Sequence, residues 1–289
     1  MLIEQMINGV ALGSIYALLA LGFTLVYGIL FFVNFPHGDI LMFGSFVSLM
    51  AIVHMGWSFI PTILVAMVAT GLVAIIVEKV AYSRLRGERR LAPLLSALGV
   101  SLVVSNSALL IFGPRTKSFP NLLIFEDLNL PGNIQPIVIL ILLISLVLMI
   151  LLQLFLKKSV TGIAINAASQ SLTTAQLMGI NPSYVISVTF FASGILAGAG
   201  GFLLCMRYGA ISPTIGIPLM LKAFAACVLG GIGNVRGAVV GGMLLGIAEV
   251  LTIAYISPGY RDAGAFLLLI LVLLIRPWGL LGGRTEVWA

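Results

Sequence analysis

The segment Ser212–Gly242 reads SPTIGIPLMLKAFAACVLGGIGNVRGAVVGG, and it is the part of the chain that decides the fold. Most of its residues are apolar, yet it also contains two prolines, Lys222 and a series of glycines. Backbone that leaves a helix at membrane depth is tolerated only where protein or a water-filled cavity surrounds it. Glycine and proline clustered in a short apolar segment therefore predict the substrate path of a membrane transporter, with the other helices as its scaffold.

The composition of the whole chain excludes a soluble protein. Its 289 residues are 61% hydrophobic and 8% charged, whereas a soluble domain carries about 25% charged residues. The apolar runs are long and do not alternate with period two, which indicates helices rather than a barrel. We therefore expect an all-α polytopic membrane protein with a single transmembrane domain over residues 1–289. The net charge of +6 is assigned to loops that face the cytoplasm and not to nucleic-acid binding.

The apolar runs predict eight full spans and one short segment, Pro218–Gly233, which is either a broken span or a re-entrant segment. The full spans are expected near Met6–Leu30, Asp39–Met55, Phe59–Ala81, Ala92–Phe112, Pro136–Leu156, Tyr184–Met206, Ala238–Ile256 and Ala263–Arg276. Arg84–Arg90 is the most basic loop, and placing it in the cytoplasm puts most lysines and arginines on that side. The predicted topology has the N-terminus outside and the C-terminus in the cytoplasm.

Two short stretches of the chain resemble each other. Gly38–Phe46 and Gly216–Phe224 share glycine, leucine, methionine and phenylalanine at equal positions, and each follows a polar break that contains proline. In the predicted topology the two copies run in opposite directions, as in an inverted repeat. Apolar segments also share residues by chance, so the sequence leaves both an inverted repeat and a chance similarity open.

The break before the second span supplies one group of candidate path residues: Asn34, His37, Gly38 and Asp39. Asn and Asp at a helix start also satisfy free N–H groups, so capping of the second span is the alternative interpretation, and it does not exclude a place in the path. Asp39 is expected near the cytoplasmic side.

The second group of candidate path residues is Lys222, Gly230, Gly231 and Glu249. An unpaired charge inside a span costs at least about 2.5–3.5 kcal/mol on insertion scales. Lys222 and Glu249 are both expected in the outer half of their segments, so we predict that they face each other, directly or through one water. The alternative is that Lys222 extends to the outer surface and Glu249 is protonated or bonded to backbone.

Enzyme motifs are absent from the sequence. No glycine-lysine-serine or glycine-lysine-threonine triplet occurs, so the chain is not expected to hydrolyse ATP itself. No Ser/His/Asp or His/Cys cluster stands out, and we expect no catalytic residue, metal site or cofactor. Residues 157–183 form a long polar segment, in which Thr161–Ile180 predicts a short helix ending at Gly179 on the cytoplasmic face. Its length favours a docking role over a simple connector.

Four motifs together resemble the permeases of branched-chain amino acid ATP-binding-cassette importers. They are the break Asn34–Gly38, the helix end Gln176–Ile180, the run Leu221–Gly231 and the terminal Arg276–Leu280. The resemblance covers nearly the whole chain in order, and it is closest to the first of the family's two permease subunits.

The resemblance implies a multi-pass protein of the cell inner membrane, in contact with lipid. The implied partners are a second homologous permease, two cytoplasmic ATP-binding subunits and a periplasmic substrate-binding protein. It also implies that an ATPase receives residues 161–180 as a coupling helix, with Thr161, Gly162, Ala167, Ala175, Leu177, Met178 and Gly179 as the coupling residues. Family members usually carry arginines early in this helix, where the present chain has Ile163 and Asn166. Apolar contact is therefore expected to dominate the docking.

Three other functions share parts of the pattern. An ion-coupled secondary transporter would use Asp39 or Glu249 as its ion site. The long docking segment and the few acidic residues within the spans count against it. A passive channel would leave the docking segment unexplained, and permeases for urea and short amides share the motifs with the branched-chain amino acid permeases.

Overall fold

The computed structural model describes residues 2–85, 91–122 and 135–282. Eleven α-helices account for most of these residues, and eight helical segments are long and apolar enough to cross a membrane, which confirms the eight full spans. The helices are α1 Leu2–Leu30, α2 His37–Met55, α3 Phe59–Val77, α4 Leu91–Phe112, α5 Pro136–Lys158, α6 Val160–Gln170, α7 Leu172–Leu177, α8 Pro182–Tyr208, α9 Gly216–Gly230, α10 Val235–Tyr255 and α11 Arg261–Ile275. Most of the basic loop, Arg86–Arg90, lies outside the described residues.

The bundle has two distinguishable ends. At one end, two short strands, β1 Lys117–Ser118 and β2 Ala210–Ile211, pair in an antiparallel manner. We call this the outer end, because the predicted topology places both strands outside. At the other end lie α6 and α7, and we call this the inner end. The chain crosses between these ends in the order that the predicted topology requires.

Small residues allow α1 and α10 to pack closely side by side. A methyl group placed on Gly13 would meet the backbone of Met243 at 2.6 Å, and one on Gly9 would meet Ile247 at 2.9 Å. On the facing helix, Gly242 and Gly246 pack against the backbone of α1. Van der Waals packing of this kind drives helix association in lipid, where no hydrophobic effect operates between helices. Gly9 and Gly13 of the first span therefore serve helix packing.

The packing of α1 on α10 has a counterpart elsewhere in the bundle. Helix α8 packs on α3 through Gly194 and Gly198, which lie against Ala66 and Thr70. Similarly, α1 packs on α9 as α8 packs on α2. Helices α1–α3 and α8–α10 therefore exchange equivalent contacts, with α2 and α9 in corresponding positions. This arrangement agrees with the inverted repeat that the echo between Gly38–Phe46 and Gly216–Phe224 suggests.

Helix α9 completes a crossing of the bundle and does not turn back on itself. It follows β2 at the outer end, and its C-terminus contacts the chain after α11: the amide of Leu280 donates to Leu229, and that of Leu281 donates to Gly230. With 15 residues it covers only about 22 Å, and the non-helical residues 212–215 precede it. Of the two alternatives left open by the sequence, the broken span is therefore correct.

The segment expected to form one coupling helix contains two. Helix α6 ends at Gln170, and α7 begins after Ser171, whose extended backbone leaves the helical region. The Ser171 hydroxyl accepts from the Thr174 amide at 3.2 Å and so caps the new helix. A serine inside an apparently continuous pattern thus acts as a helix start. Gly179 has a φ of 84°, as the predicted left-handed helix end requires.

Candidate functional site

A cavity of about 400 Å³ opens at the outer end of the bundle, between α1, α8, α9 and the start of α11. This volume falls at the lower end of the roughly 300–1,000 Å³ found for small-molecule sites. The apolar part of its lining includes Leu204, Ile215, Pro218 and Leu219. The polar part includes Tyr16, Tyr208, Lys222 and Arg261. The cavity therefore combines an apolar surface with two cationic side chains.

Lys222 is the centre of a buried polar network beside this cavity. Its Nζ lies 2.7 Å from Glu249 Oε2 and donates to the Tyr16 hydroxyl at 3.1 Å. The Tyr16 hydroxyl in turn donates to Glu249 Oε2 at 2.8 Å. Because the Lys222 and Glu249 side chains are 5% and 0% exposed, neither charge is compensated by water. The predicted pairing of Lys222 with Glu249 is confirmed, and it is direct.

A second carboxylate completes the network. Asp262, in the first turn of α11, has its Oδ1 2.8 Å from Lys222 Nζ and 3.6 Å from Arg261 Nε. Unlike Glu249, the Asp262 side chain is 48% exposed. The last span was expected to begin at Ala263, but helix α11 begins at Arg261, so Asp262 belongs to the helix and faces Lys222.

The N-termini of α2 and α9 meet inside the bundle. A methyl group on Gly38 would overlap the carbonyl oxygen of Gly216 and the side chain of Met220. Asp39 lies at this junction, where it accepts hydrogen bonds from Ser101 and, at 2.6 Å, from Ser105. A methyl group on Gly216 would meet Asp39 Oδ1 at 2.6 Å, so this carboxylate also faces the N-terminus of α9.

The expected position of Asp39 near the cytoplasmic side is therefore wrong, because the break before α2 reaches the bundle interior. A carboxylate is favoured there by the positive ends of two helix dipoles and by two hydroxyl donors. The alternative interpretation, in which Asn34 or Asp39 caps α2, is not supported either. Pro36 occupies the N-cap position, and it makes no side-chain cap hydrogen bond.

Asn34 and His37 are buried close to this junction. The Tyr82 hydroxyl donates to Asn34 Oδ1 at 2.9 Å, while Asn34 Nδ2 has no partner among the described residues. His37 Nε2 lies 3.1 Å from the carbonyl oxygen of Leu19, and its Nδ1 lies 3.3 Å from Ser193 Oγ. These contacts fit the tautomer with hydrogen on Nε2. Through these contacts, the two side chains connect the break before α2 to α1, α8 and the end of the third span.

Gly230 and Gly231 lie away from the outer cavity, at the inner end of α9. A side chain on Gly230 would overlap the backbone of Gly237, and Gly231 has a φ of 108°. Gly231 packs against the backbone of Gly282, in the turn that follows α11. The two glycines therefore allow the close approach of three chain segments.

The coupling residues fall into two groups by exposure. Gly162 and Ala175 are buried, so they pack α6 and α7 onto the bundle. Leu177 and Met178 are 82% and 79% exposed, and Gly179 is exposed beside them. Thr161 and Ala167 are partly exposed. Val160 and Ile163 were not among the predicted coupling residues, yet they add 86% and 56% exposed apolar side chains to the same segment.

Several members of these sites were not predicted from the sequence. Tyr16, Asp262 and Arg261 belong to the outer cavity or its network, and Ser101 and Ser105 bind Asp39. Polar side chains within apolar spans would have pointed to Tyr16 and the two serines. The adjacent Arg261 and Asp262 look like an ordinary helix start in the sequence.

Comparison with known proteins yields one family. A family model described as "Branched-chain amino acid transport system / permease component" matches residues 5–275. The chain is 42% identical to the high-affinity branched-chain amino acid transport system permease protein LivH of Escherichia coli strain K12, over 99% of this chain and 96% of that protein. It is 41% identical to BraD, a permease protein of the same description from Pseudomonas aeruginosa, over 99% of this chain and 97% of that protein.

More distant matches agree in length and fold. A probable branched-chain amino acid transport permease protein LivH of Methanocaldococcus jannaschii is 30% identical over 96% of this chain and 93% of that protein. Among solved structures, PsaBC from Streptococcus pneumoniae in complex with Fab is similar with a TM-score of 0.50 and 14% identity, over 96% of this chain and 90% of that chain. At this identity the likeness concerns the fold alone.

Proposed function

Because the chain belongs to the family of branched-chain amino acid transport system permease components, we propose that it is the transmembrane permease subunit of an ATP-binding-cassette importer for branched-chain and similar hydrophobic amino acids. The observation that carries this function is the similarity to high-affinity branched-chain permeases along practically the entire chain. The eight apolar spans, packed through glycines, agree with a multi-pass protein, and we place it in the cell inner membrane.

Energy for transport comes from other subunits in this proposal. The sequence lacks an ATP-binding motif, and the segment that contacts the ATPases is α6–α7. Its residues Val160, Ile163, Leu177 and Met178 expose apolar side chains at the inner end. Exposed apolar side chains in a polar connecting segment mark a protein contact. Two ATP-binding subunits, a second homologous permease and a periplasmic binding protein complete the assembly.

The substrate path runs along α9 and its neighbours. Lys222 and Glu249 lie by its outer part, and Asn34, His37, Gly38 and Asp39 lie where α2 and α9 meet. Gly230 and Gly231 shape its inner end through close backbone packing. The domain is single, over residues 1–289, with residues 157–183 as the coupling segment.

Co-purification and transport test this function. The chain, tagged and produced with its candidate partner subunits, is expected to retain ATP-binding subunits through purification. In proteoliposomes supplied with a substrate-binding protein, leucine uptake should require ATP and should survive collapse of the ion gradients. Uptake that needs an ion gradient and no ATPase would contradict the proposal, and uptake of urea but not leucine would move the substrate class to short amides.

A further inference from the structure

The two carboxylates next to Lys222 differ in their exposure to solvent, which indicates different roles. Lys222 Nζ carries three hydrogens, and three oxygen atoms surround it, from Glu249, Tyr16 and Asp262. Glu249 is fully buried, whereas the Asp262 side chain is half exposed. The Asp262 Oδ1 atom nearest Lys222 is itself buried, but the rest of the Asp262 side chain reaches solvent, which no part of the Glu249 side chain does. Of the two contacts, the one with Asp262 is therefore the one that a ligand can reach and replace.

The outer cavity gives a ligand access to this contact. Lys222 and Arg261 both line it, and Asp262 forms an ion pair with each of them. Leu204, Ile215, Pro218 and Leu219 also line the cavity and offer an apolar surface. A ligand that suits both parts of this lining has a charged head and an apolar side chain of moderate size.

We propose that a zwitterionic amino acid enters the outer cavity and separates Asp262 from Lys222. The ligand's carboxylate then binds Lys222 and Arg261, its ammonium binds Asp262, and its side chain contacts the apolar residues of the lining. Glu249 and Tyr16 stay in place and hold Lys222 in position. This assignment rests on the proposed function and names the site at which the permease itself recognises its substrate.

Charge balance selects a zwitterion for this exchange. Lys222, Arg261, Glu249 and Asp262 together carry no net charge, and a zwitterion adds none. The ligand's carboxylate replaces Asp262 as the partner of Lys222, and its ammonium becomes the new partner of Asp262. No buried charge is therefore left without a partner. A ligand without the carboxylate leaves Lys222 short of one partner, and a ligand without the ammonium leaves Asp262 displaced and unpaired.

Cysteine protection measures occupancy of the cavity directly. The native Cys205 and Cys227 are free and buried, so an introduced cysteine is expected to dominate the reaction with a small impermeant thiol reagent. Thr214→Cys places the thiol on the cavity lining. Ser118→Cys is the matched control, because it lies at the same end but lines a different cavity, with Phe46 and Phe112.

In purified full-length protein in lipid nanodiscs, leucine should slow the labelling of Thr214→Cys and leave that of Ser118→Cys unchanged. Leucinamide, which lacks the carboxylate, and 4-methylpentanoate, which lacks the ammonium, should protect far less. Because hydrogen bonds to charged groups are the stronger kind, Asp262→Asn should raise the leucine concentration needed for protection by roughly 10-fold or more. Glu4→Gln, at the same end but not on the cavity lining, should not change it.

The outcomes separate this inference from the proposed function. Equal protection by leucine, leucinamide and 4-methylpentanoate, or unchanged protection in Asp262→Asn, would overturn the assignment even if ATP-driven leucine uptake is present. Protection specific for leucine, with no ATP-driven uptake, would overturn the proposed function and support the site. Asp262→Asn should keep the unfolding temperature of the parent protein, which excludes a folding defect as the cause of lost protection.

Discussion

Lys222 Nζ and Glu249 Oε2 lie 2.7 Å apart, on two neighbouring helices, with both side chains removed from water. Breaking a buried pair by removing one partner costs about 3–5 kcal/mol, because the remaining charge stays buried without compensation. Lys222→Met and Glu249→Gln should therefore each lower the unfolding temperature markedly. The double variant should lose less than the sum of the two single losses.

Unfolding can be followed with a thiol-reactive dye, since Cys205 and Cys227 are both buried in the folded protein. The control double-mutant cycle combines Lys222→Met with Lys157→Met, which lies at the inner end of the bundle. In this cycle the decreases in unfolding temperature should be additive. Additive losses in the Lys222 and Glu249 cycle itself would show that the two charges do not stabilise each other.

Gly38 stands where α2 meets α9, and we expect Gly38→Ala to weaken that junction. The added methyl group would overlap the carbonyl oxygen of Gly216, and overpacking of this kind costs about 1–3 kcal/mol. Gly28→Ala is the control, because a methyl group there meets only Ser169 Cβ, at 4.0 Å. It should be neutral or stabilising by up to about 1 kcal/mol, as alanine is the better helix former. A Gly38→Ala protein as stable as Gly28→Ala would refute the close contact.

Leu177 is the residue with which we expect to disrupt ATPase binding without unfolding the permease. Its side chain is 82% exposed, so Leu177→Asp should leave the unfolding temperature unchanged while the ATP-binding subunits are lost on purification. Leu177→Met should retain them. By contrast, Ala175→Asp places a charge at a buried position and should destabilise the fold itself. Retention of the ATPases and full transport in Leu177→Asp would exclude α7 from the contact.

The assignment of the two ends of the bundle is tested by accessibility. A cysteine at Ser118, in strand β1, should react with an impermeant thiol reagent added to intact cells. A cysteine at Gln170, exposed at the end of α6, should react only after the membrane is opened. The reversed pattern would invert the predicted topology and place the outer cavity on the cytoplasmic side.

The expectations from the sequence agree best with the structure for features that depend on local composition. The spans, the break before α2 and the left-handed Gly179 follow from apolar length, proline and glycine, which act within a few residues of chain. The agreement is poorest for single polar residues that can form either of two kinds of hydrogen bond. Ser171 starts a second helix where a continuous one was expected, and Asp39 accepts from Ser101 and Ser105, although capping of α2 was one of its two interpretations.

The sequence by itself determined that this chain is a membrane-spanning bundle, because its apolar runs leave no other solution for the backbone polar groups. It also determined that Lys222 and Glu249 need partners, because isolated charges are costly in a span. The tertiary structure decided which partners: Tyr16 meets Glu249 across 233 positions of the chain, and Asp262 reaches Lys222 from another helix. Such contacts depend on how glycines let particular helices approach, and that geometry is settled by the packing of the whole bundle.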